Sequence, residues 1–384
     1  MKIVIAPDSF KESLSALQVA TIIEKGFKEV FPEAIYIKCP IADGGEGTVV
    51  TMIEATNGEI HHIDVIGPLG VPVKAFFGLS NNKKQGFIEM AAASGLELVP
   101  PALRNPLLTT SYGTGELITA CLDIGVEHII IGIGGSATND GGAGMLQALG
   151  AKLLDIDGQQ IKLGGSGLAD LFNIDVNEMD PRLTHCQFSI ACDVSNPLIG
   201  ENGASVIFGP QKGATVDHIK ELDRNLEHFA DTIKRDLGVD VHYIPGAGAA
   251  GGMGAALLAF LKAELRPGFD IIANTLNLEL KMKGADLVIT GEGRLDNQSL
   301  NGKVPIGVAQ LAKKQKIPVI AIAGSLGDDL DHLQQYGIDS VFSILHKVSS
   351  LAEALSGAEN NLYNCSKNVA YTLKLNLFKL GGDI

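Results

Sequence analysis

Residues 129–144 read IIIGIGGSATNDGGAG, and this stretch decides how the rest of the chain is interpreted. Its first residues are apolar and β-branched, which predicts a short buried strand. The glycine-rich part that follows leads into residues 145–149, which are predicted to be helical. Glycine has no Cβ atom, so its backbone can approach an anion, and the N–H groups of the loop and of the first helical turn point toward it. The stretch therefore predicts a strand, loop and helix that bind phosphate.

Composition excludes several classes of protein. The chain has 384 residues, 46% of them hydrophobic, which is enough for the cores of two domains. A formal net charge of −14 argues against general binding of nucleic acid or of an anionic membrane. The odd number of cysteines, five, suits free thiols in a reducing compartment. With no predicted signal peptide or membrane-spanning segment, we expect a cytoplasmic protein without nucleic-acid or membrane partners, and the oligomeric state stays open.

Glycines and charged side chains recur together in other loops that follow predicted strands. These loops are residues 7–15, 41–48, 191–198, 246–254 and 290–299. In the loop of residues 41–48, a simple turn would explain the glycines. It would not explain the two carboxylates, Asp43 and Glu46, which suit Mg²⁺. Asp193 ends a strand, a good position for a general base or a metal ligand, although an Asx-turn explains it equally well. Backbone donors, cations and carboxylates together are what phosphoryl transfer requires.

The order of predicted elements indicates an α/β protein. A buried strand begins near Lys2, and a capping box of Ser15 and Gln18 predicts the start of the next helix. Residues 60–79 alternate between apolar and polar and contain GPLG, which predicts a hairpin and a change of domain. Strand and helix units return near Ala285, so we expect two domains.

Other functions remain open on the motifs alone. The P-loop sequence and the protein-kinase motifs are missing. Two weak dinucleotide-binding patterns, Gly132-x-Gly134-x-x-Ala137 and Gly246-x-Gly248-x-x-Gly251, leave an NAD(P)-dependent oxidoreductase of a small hydroxy acid as the alternative. A non-catalytic binder of an organic acid is a third possibility. Residues 323–327 resemble a nucleophile elbow, with His332 or His346 as base, but no oxyanion-hole motif accompanies them.

Taken together, these loops resemble the bacterial glycerate kinase family, the one unrelated to P-loop and protein kinases. The matching segments follow one another along nearly the whole chain: residues 7–16, 42–48, 132–142, 191–198, 208–214, 246–252 and 290–296. The resemblance implies phosphorylation of D-glycerate that depends on ATP and Mg²⁺, and we favour 2-phosphoglycerate as the product. It implies a kinase with two small-molecule substrates, glycerate and ATP.

The resemblance also implies the domain architecture. One domain, formed by both chain ends, is expected to be Rossmann- or flavodoxin-like with a parallel sheet, and a second, mixed α/β domain is inserted into it. The active site is expected in the cleft between them. The change in sequence pattern places the first domain at residues 1–70 plus 285–384 and the second at residues 71–284.

The chemical types of the loop residues give a candidate substrate site. We expect it to contain Ser9, Phe10, Lys11, Asp43 and Arg294. Lys11 and Arg294 would hold the glycerate carboxylate or the transferring phosphoryl group. The nucleotide-binding residues are expected to be Gly134, Gly135, Ser136, Thr138, Asn139, Gly248 and Gly251.

Three aspartates are candidates for proton transfer and for the metal. Asp193 or Asp296 would take or orient the proton of the glycerate hydroxyl. Asp43, with Asp296 or Asp193, would hold Mg²⁺, whose preferred ligands are hard oxygens. The catalytic residues are thus expected to be Asp193, Asp296, Lys11 and Arg294.

Overall fold

The computed structural model shows an α/β protein and describes residues 1–45, 47–296, 299, 303–328 and 333–379. Its strands, in chain order, are β1 (Lys2–Ile5), β2 (Ile35–Lys38), β3 (Glu59–Ile66), β4 (Pro72–Leu79), β5 (Gln85–Glu89), β6 (His128–Gly132), β7 (Lys152–Leu154), β8 (Asn173–Asp175), β9 (Gln187–Ala191), β10 (Glu264–Arg266), β11 (Leu287–Thr290), β12 (Arg294–Leu295), β13 (Val319–Ala323), β14 (Ser325–Leu326) and β15 (Ser340–Ser343).

The helices alternate with these strands along most of the chain. They are α1 (Ala16–Lys28), α2 (Thr48–Thr56), α3 (Ala91–Ser94), α4 (Tyr112–Ile124), α5 (Ala143–Ala148), α6 (Ala204–Phe208), α7 (Val216–Leu237), α8 (Ala249–Leu261), α9 (Gly268–Thr275), α10 (Leu278–Met282), α11 (Val304–Lys314), α12 (Leu351–Ser356) and α13 (Ala358–Lys379). Within the described residues, none of them has the length and apolar character needed to span a bilayer.

One sheet is entirely parallel. Its strands lie in the order β2-β1-β11-β13-β15, and every neighbouring pair runs in the same direction. Numbered by their appearance in this sheet, the order is 2-1-3-4-5, as in flavodoxin-like doubly wound sheets. The strand order reverses between β1 and β11. Ligands of such sheets bind outside the carboxyl ends of the strands at this reversal, so the loops after β1 and β11 occupy a favoured binding position.

The second sheet is mixed, in the order β10-β9-β6-β5-β4-β3. The first four strands pair in parallel, and β5, β4 and β3 pair antiparallel. The predicted hairpin is confirmed, because β3 and β4 pair along their full length from Glu59–Leu79 to Ile66–Pro72. The predicted α/β class is likewise confirmed, and the structure shows that one of the two large sheets is parallel and the other mixed.

The chain folds into two compact units, Met1–Asp43 with Phe269–Ile384, and Gly44–Gly268. The parallel sheet lies in the first unit and the mixed sheet in the second. The sequence pattern placed the limits at residues 70 and 284 instead. Residues 44–70 group with the second unit because β3 is hydrogen-bonded to β4. Residues 269–284 group with the first, where the Phe269 ring packs so closely on Gly307 that a Cβ there would lie 2.4 Å from it. The predicted cleft stays a prediction.

Candidate active site

The predicted phosphate loop follows β6 and leads into α5, as expected from the sequence. Ile129 and Ile131 of the strand are completely buried, which fixes the position of the loop that follows. Gly134 and Gly135 are exposed at its start. A Cβ atom at Gly134 would have no heavy atom within 4 Å, so the backbone here is open to a ligand.

The far end of this loop is held by a buried carboxylate. Asp140 accepts hydrogen bonds from the backbone amide and hydroxyl of Ser111, at 2.9 and 2.8 Å. It also accepts from the amides of Gly142 and Gly144, at 3.1 and 3.3 Å, at the start of α5. Burial raises the pKa of Asp140, and these hydrogen bonds oppose the shift. With these four hydrogen bonds Asp140 fixes the turn between the loop and α5.

Lys212 is a residue of this region to which the sequence interpretation assigned no role. Its side chain is 1% exposed, and its Nζ atom donates to the Ser136 hydroxyl at 2.7 Å and to the Thr138 carbonyl at 2.6 Å. Burial lowers the pKa of Lys212 to about 7, and the Asp140 carboxylate opposes that shift. The only sequence signal was its place in the segment 208–214, which contributed to the family resemblance.

The second glycine loop packs directly against the first. The Gly141 amide donates to the Gly251 carbonyl at 3.0 Å. A Cβ on Gly251 would lie 2.0 Å from the Thr138 carbonyl oxygen, and one on Gly248 would lie 2.1 Å from the Pro197 carbonyl oxygen. Close packing of backbone thus requires glycine at these two positions, and their predicted contact with the nucleotide stays a prediction.

A cavity of about 320 Å³ opens beside the first loop. It is lined by Gly44, Gly45, Glu89, Ala91, Gly95, Leu96, Glu97, Gly132, Gly134 and Gly135. Glu89, at the end of β5, accepts a hydrogen bond from the Val49 amide at 2.8 Å. Much of the lining is glycine, whose backbone no Cβ atom shields from a ligand. The sequence interpretation did not identify Glu89 or Glu97.

Asp193 lies just after the end of β9, in the unit that holds the glycine loops. Its Oδ1 atom accepts a hydrogen bond from the Gly268 amide at 3.0 Å. This contact fixes the carboxylate at the carboxyl end of the strand, as its position in the sequence suggested.

The loops after β1 and β11 bring several carboxylates together at the reversal of strand order. The Asp8 amide donates to the Gly291 carbonyl at 2.8 Å, which joins the two loops. Burial raises the pKa of Asp8 to about 7, and the charges of Asp43 and Glu292 add to the shift. The Ser9 amide, which donates to Asp8 Oδ1 at 2.6 Å, and Lys11 act in the opposite direction.

Glu292 was not among the predicted site residues. Its side chain is 6% exposed, and its Oε1 atom has no hydrogen-bond partner in the described part of the chain. Burial raises its pKa, while Ser299 and Lys303 lower it. A buried oxygen without a donor beside Asp8 and Asp43 is suited to a cation or to a substrate hydroxyl.

The predicted substrate residues differ in accessibility. Lys11 is exposed, and the Arg294 side chain is 69% exposed with its Nε atom 3.2 Å from Asp296. Both cations are therefore available to an anionic ligand. Phe10 is different, because its ring is 2% exposed and belongs to the hydrophobic core. The residue as a whole is buried, its amide donates to the Leu14 carbonyl, and its carbonyl accepts from the Ser13 and Leu14 amides, so its predicted contact with substrate stays a prediction.

The predicted metal ligands are divided between the units. Asp43 and Asp296 belong to the first and Asp193 to the second. Among the described residues, no three His, Cys, Asp or Glu side chains form a group that could hold a metal ion. Mg²⁺ usually takes one or two carboxylates and completes its shell with water and phosphate oxygens, so Asp43 with one neighbouring carboxylate would suffice for such a site. Glu46 and His332 lie outside the described residues.

Comparison with known proteins decides the family. A family model described as the glycerate kinase family matches residues 3–374. The chain belongs to the glycerate kinase family. The glycerate 2-kinase of Escherichia coli is 60% identical over 99% of this chain and 100% of its own length. The glycerate kinase of Bacillus subtilis is 54% identical over 98% of each chain.

A solved structure agrees with this assignment. The crystal structure of a candidate glycerate kinase 2 from Salmonella typhimurium is 59% identical, with a TM-score of 0.92 over 98% of this chain and 99% of that one. The predicted family resemblance, and with it the prediction of an enzyme of the glycerate kinase type, is confirmed. The alternative of an oxidoreductase has no support in these relatives.

Proposed function

We propose that the protein transfers the terminal phosphoryl group of ATP to a hydroxyl of D-glycerate, with Mg²⁺, and that the product is 2-phosphoglycerate. The observation that carries the proposal is the meeting of two charged loops at the strand-order reversal of the parallel sheet. The loop after β1 supplies Asp8 and Lys11, and the loop after β11 supplies Glu292 and Arg294. The names of the bacterial relatives support glycerate as substrate and the 2-phosphate as product.

The glycine loop after β6 is the proposed site of the ATP phosphates. Its open backbone at Gly134 and Gly135 supports this role, because N–H groups can approach phosphate oxygens where no side chain intervenes. The adjoining cavity of about 320 Å³ offers space for part of the nucleotide. Ser136, Thr138 and Asn139 are buried, so their proposed contribution is to the shape of the loop.

Lys11 and Arg294 are proposed to hold the glycerate carboxylate or the transferring phosphoryl group. Their exposure supports this role, and an arginine matches the paired oxygens of either anion. Ser9 is proposed to add a contact from the same loop. Such cations stabilise the charge that spreads over the phosphoryl oxygens during transfer.

Asp193 or Asp296 is proposed to accept or orient the proton of the attacking hydroxyl, the role that a carboxylate fills in phosphoryl transfer. Asp43, with Asp296 or Asp193, is proposed to hold Mg²⁺, which when bound neutralises charge on the phosphates. The unpartnered oxygen of Glu292 adds a further candidate oxygen to this group. A cytoplasmic location, expected from the cysteine usage, is part of the proposal.

An assay of ADP release tests this function. We expect the full-length protein to release ADP from ATP only when D-glycerate and Mg²⁺ are both present, and to stop when the metal is chelated. Absorbance of NAD(P)H is followed in parallel with the same substrate. Release of ADP without glycerate, or a change in NAD(P)H absorbance with no ADP formed, would contradict the proposal.

A further inference from the structure

Lys212 lies in a turn between α6 and α7, within the sequence GPQKG at residues 209–213. Its buried amino group reaches 76 residues back along the chain to the Ser136 hydroxyl and 74 residues back to the Thr138 carbonyl. The turn is itself fixed. Gly213 has φ of +89°, and a Cβ there would lie 2.4 Å from the Arg104 carbonyl oxygen. The amino group is therefore presented to the glycine loop from a rigid support.

Packing alone does not account for a lysine at this position. Burial of an amino group costs free energy unless it is hydrogen-bonded, and burial of its charged form costs more. Methionine has a similar length and volume and would fill the same space without that cost. The lysine is explained instead by its polar interactions, which are the two hydrogen bonds to the loop and the charge of the Asp140 carboxylate.

Those bonds fix the loop on both sides of Ala137. The C=O and N–H groups of a trans peptide point in opposite directions, so holding the Thr138 carbonyl turns the Asn139 N–H away from Lys212. The Ser136 hydroxyl is held by the same amino group, immediately after the exposed Gly134 and Gly135. Lys212 therefore helps to orient this stretch of backbone, together with the Ala137 amide, which donates to the Ser94 carbonyl at 2.9 Å, and the Thr109 hydroxyl, which donates to the Ala137 carbonyl at 2.9 Å.

We propose that Lys212 is a positioning residue of the nucleotide site. Its amino group holds the glycine loop, between Ser136 and Thr138, in the conformation that binds the ATP phosphates. This inference rests on the proposed role of the loop in ATP binding. It assigns Lys212 no contact with substrate.

The test compares the full-length enzyme with Lys212→Met. Calorimetric titration measures the Kd for MgATP and, separately, for D-glycerate, and thermal unfolding measures the midpoint. We expect the Kd for MgATP to rise at least about tenfold, because two hydrogen bonds that hold the loop are lost. We expect the Kd for D-glycerate to change less than about twofold and the midpoint to fall by only a few degrees, because methionine fills the space although the buried Ser136 hydroxyl and Thr138 carbonyl lose their donor.

Two further variants make the test specific. Ser136→Ala removes one partner of Lys212, and the double variant should bind MgATP no more weakly than Lys212→Met alone, since both changes break the same interaction. Ser136→Ala also decides the case if Lys212→Met does not fold, because it should weaken MgATP binding by itself. Lys220→Met, at an exposed position of α7, is the matched control and should bind as the unaltered enzyme does.

An unchanged Kd for MgATP in Lys212→Met, or in Ser136→Ala if the first variant does not fold, would overturn the inference. So would an equal loss of MgATP and D-glycerate binding, which would indicate a purely structural lysine. Failure of the proposed function is distinguishable from failure of this inference. It would appear as absent turnover in the unaltered enzyme, whatever the MgATP titrations of the variants show.

Discussion

At the scale of single residues, Asp8 shows how surroundings set the behaviour of a carboxyl group. Burial raises its pKa from 3.8 to about 7, and the charges of Asp43 and Glu292 act in the same direction. The folded protein thus binds this proton more tightly than the unfolded chain does. The group favours folding at low pH, and its contribution is lost as the pH rises from about 4 through about 7.

Asp8→Asn should therefore raise the free energy of unfolding at about pH 8 and change it little at about pH 4. Unfolding in urea at both pH values, without divalent cations, measures the difference. Asp170→Asn, at an exposed position, serves as the control and should show the same small effect at both. If Asp8→Asn changed the free energy of unfolding equally at the two pH values, folding would not raise the pKa of Asp8.

The proposed role of Arg294 likewise depends on a single side chain, its exposed guanidinium group. If it stabilises the transferring phosphoryl group, Arg294→Ala should lower kcat on the order of 10³-fold. Its thermal midpoint should stay close to that of the unaltered enzyme, since the side chain is 69% exposed. Steady-state kinetics with saturating ATP and glycerate measure the change, with Arg224→Ala on α7 as control. Near-normal turnover would remove Arg294 from the proposed site.

At the scale of elements, α8 contains an unusual turn. Ala250, Gly251 and Gly252 all have left-handed backbone conformations inside it, with φ of 54°, 69° and 93°. This turn brings Gly251 against Thr138 in the glycine loop. Alanine in this conformation costs on the order of 1 kcal/mol, whereas glycine adopts it readily.

Ala250→Gly should consequently leave the free energy of unfolding unchanged or raise it by up to about 1 kcal/mol, because relief of strain offsets the flexibility of glycine. Ala256→Gly, in the right-handed part of the same helix, should lower it by about 1 kcal/mol. Urea unfolding of both variants gives the comparison. Equal destabilisation by the two changes would mean that Ala250 carries no strain.

The elements also show how far sequence reasoning extends. The sequence predicted helix ends correctly where the contacts that form them join residues close in sequence. Ser15 and Gln18 form the predicted capping box of α1, and Gly125 ends α4 as expected. Lys212 was missed because its partners lie more than 70 residues away, and nothing in its own turn indicates them. Glu292 was missed because its environment arises only when β11 pairs with β1.

At the scale of the whole molecule, each compact unit carries part of the proposed machinery. The unit of residues 44–268 holds the glycine loops and Asp193, and the other holds the charged loops after β1 and β11. The predicted domain limits differ from those of these units, because the whole hairpin of β3 and β4 belongs to the mixed sheet, whereas the sequence pattern divided it at residue 70. We propose that both sets of loops serve one phosphoryl transfer.

The most direct measurement of that claim is the phosphorus NMR spectrum of a reaction containing the enzyme, MgATP and D-glycerate. The terminal ATP resonance should decline as the resonance of 2-phosphoglycerate grows in equal amount. Formation of 3-phosphoglycerate in its place would contradict the proposed product. A spectrum in which ATP persists, or gives only inorganic phosphate, would contradict the claim itself.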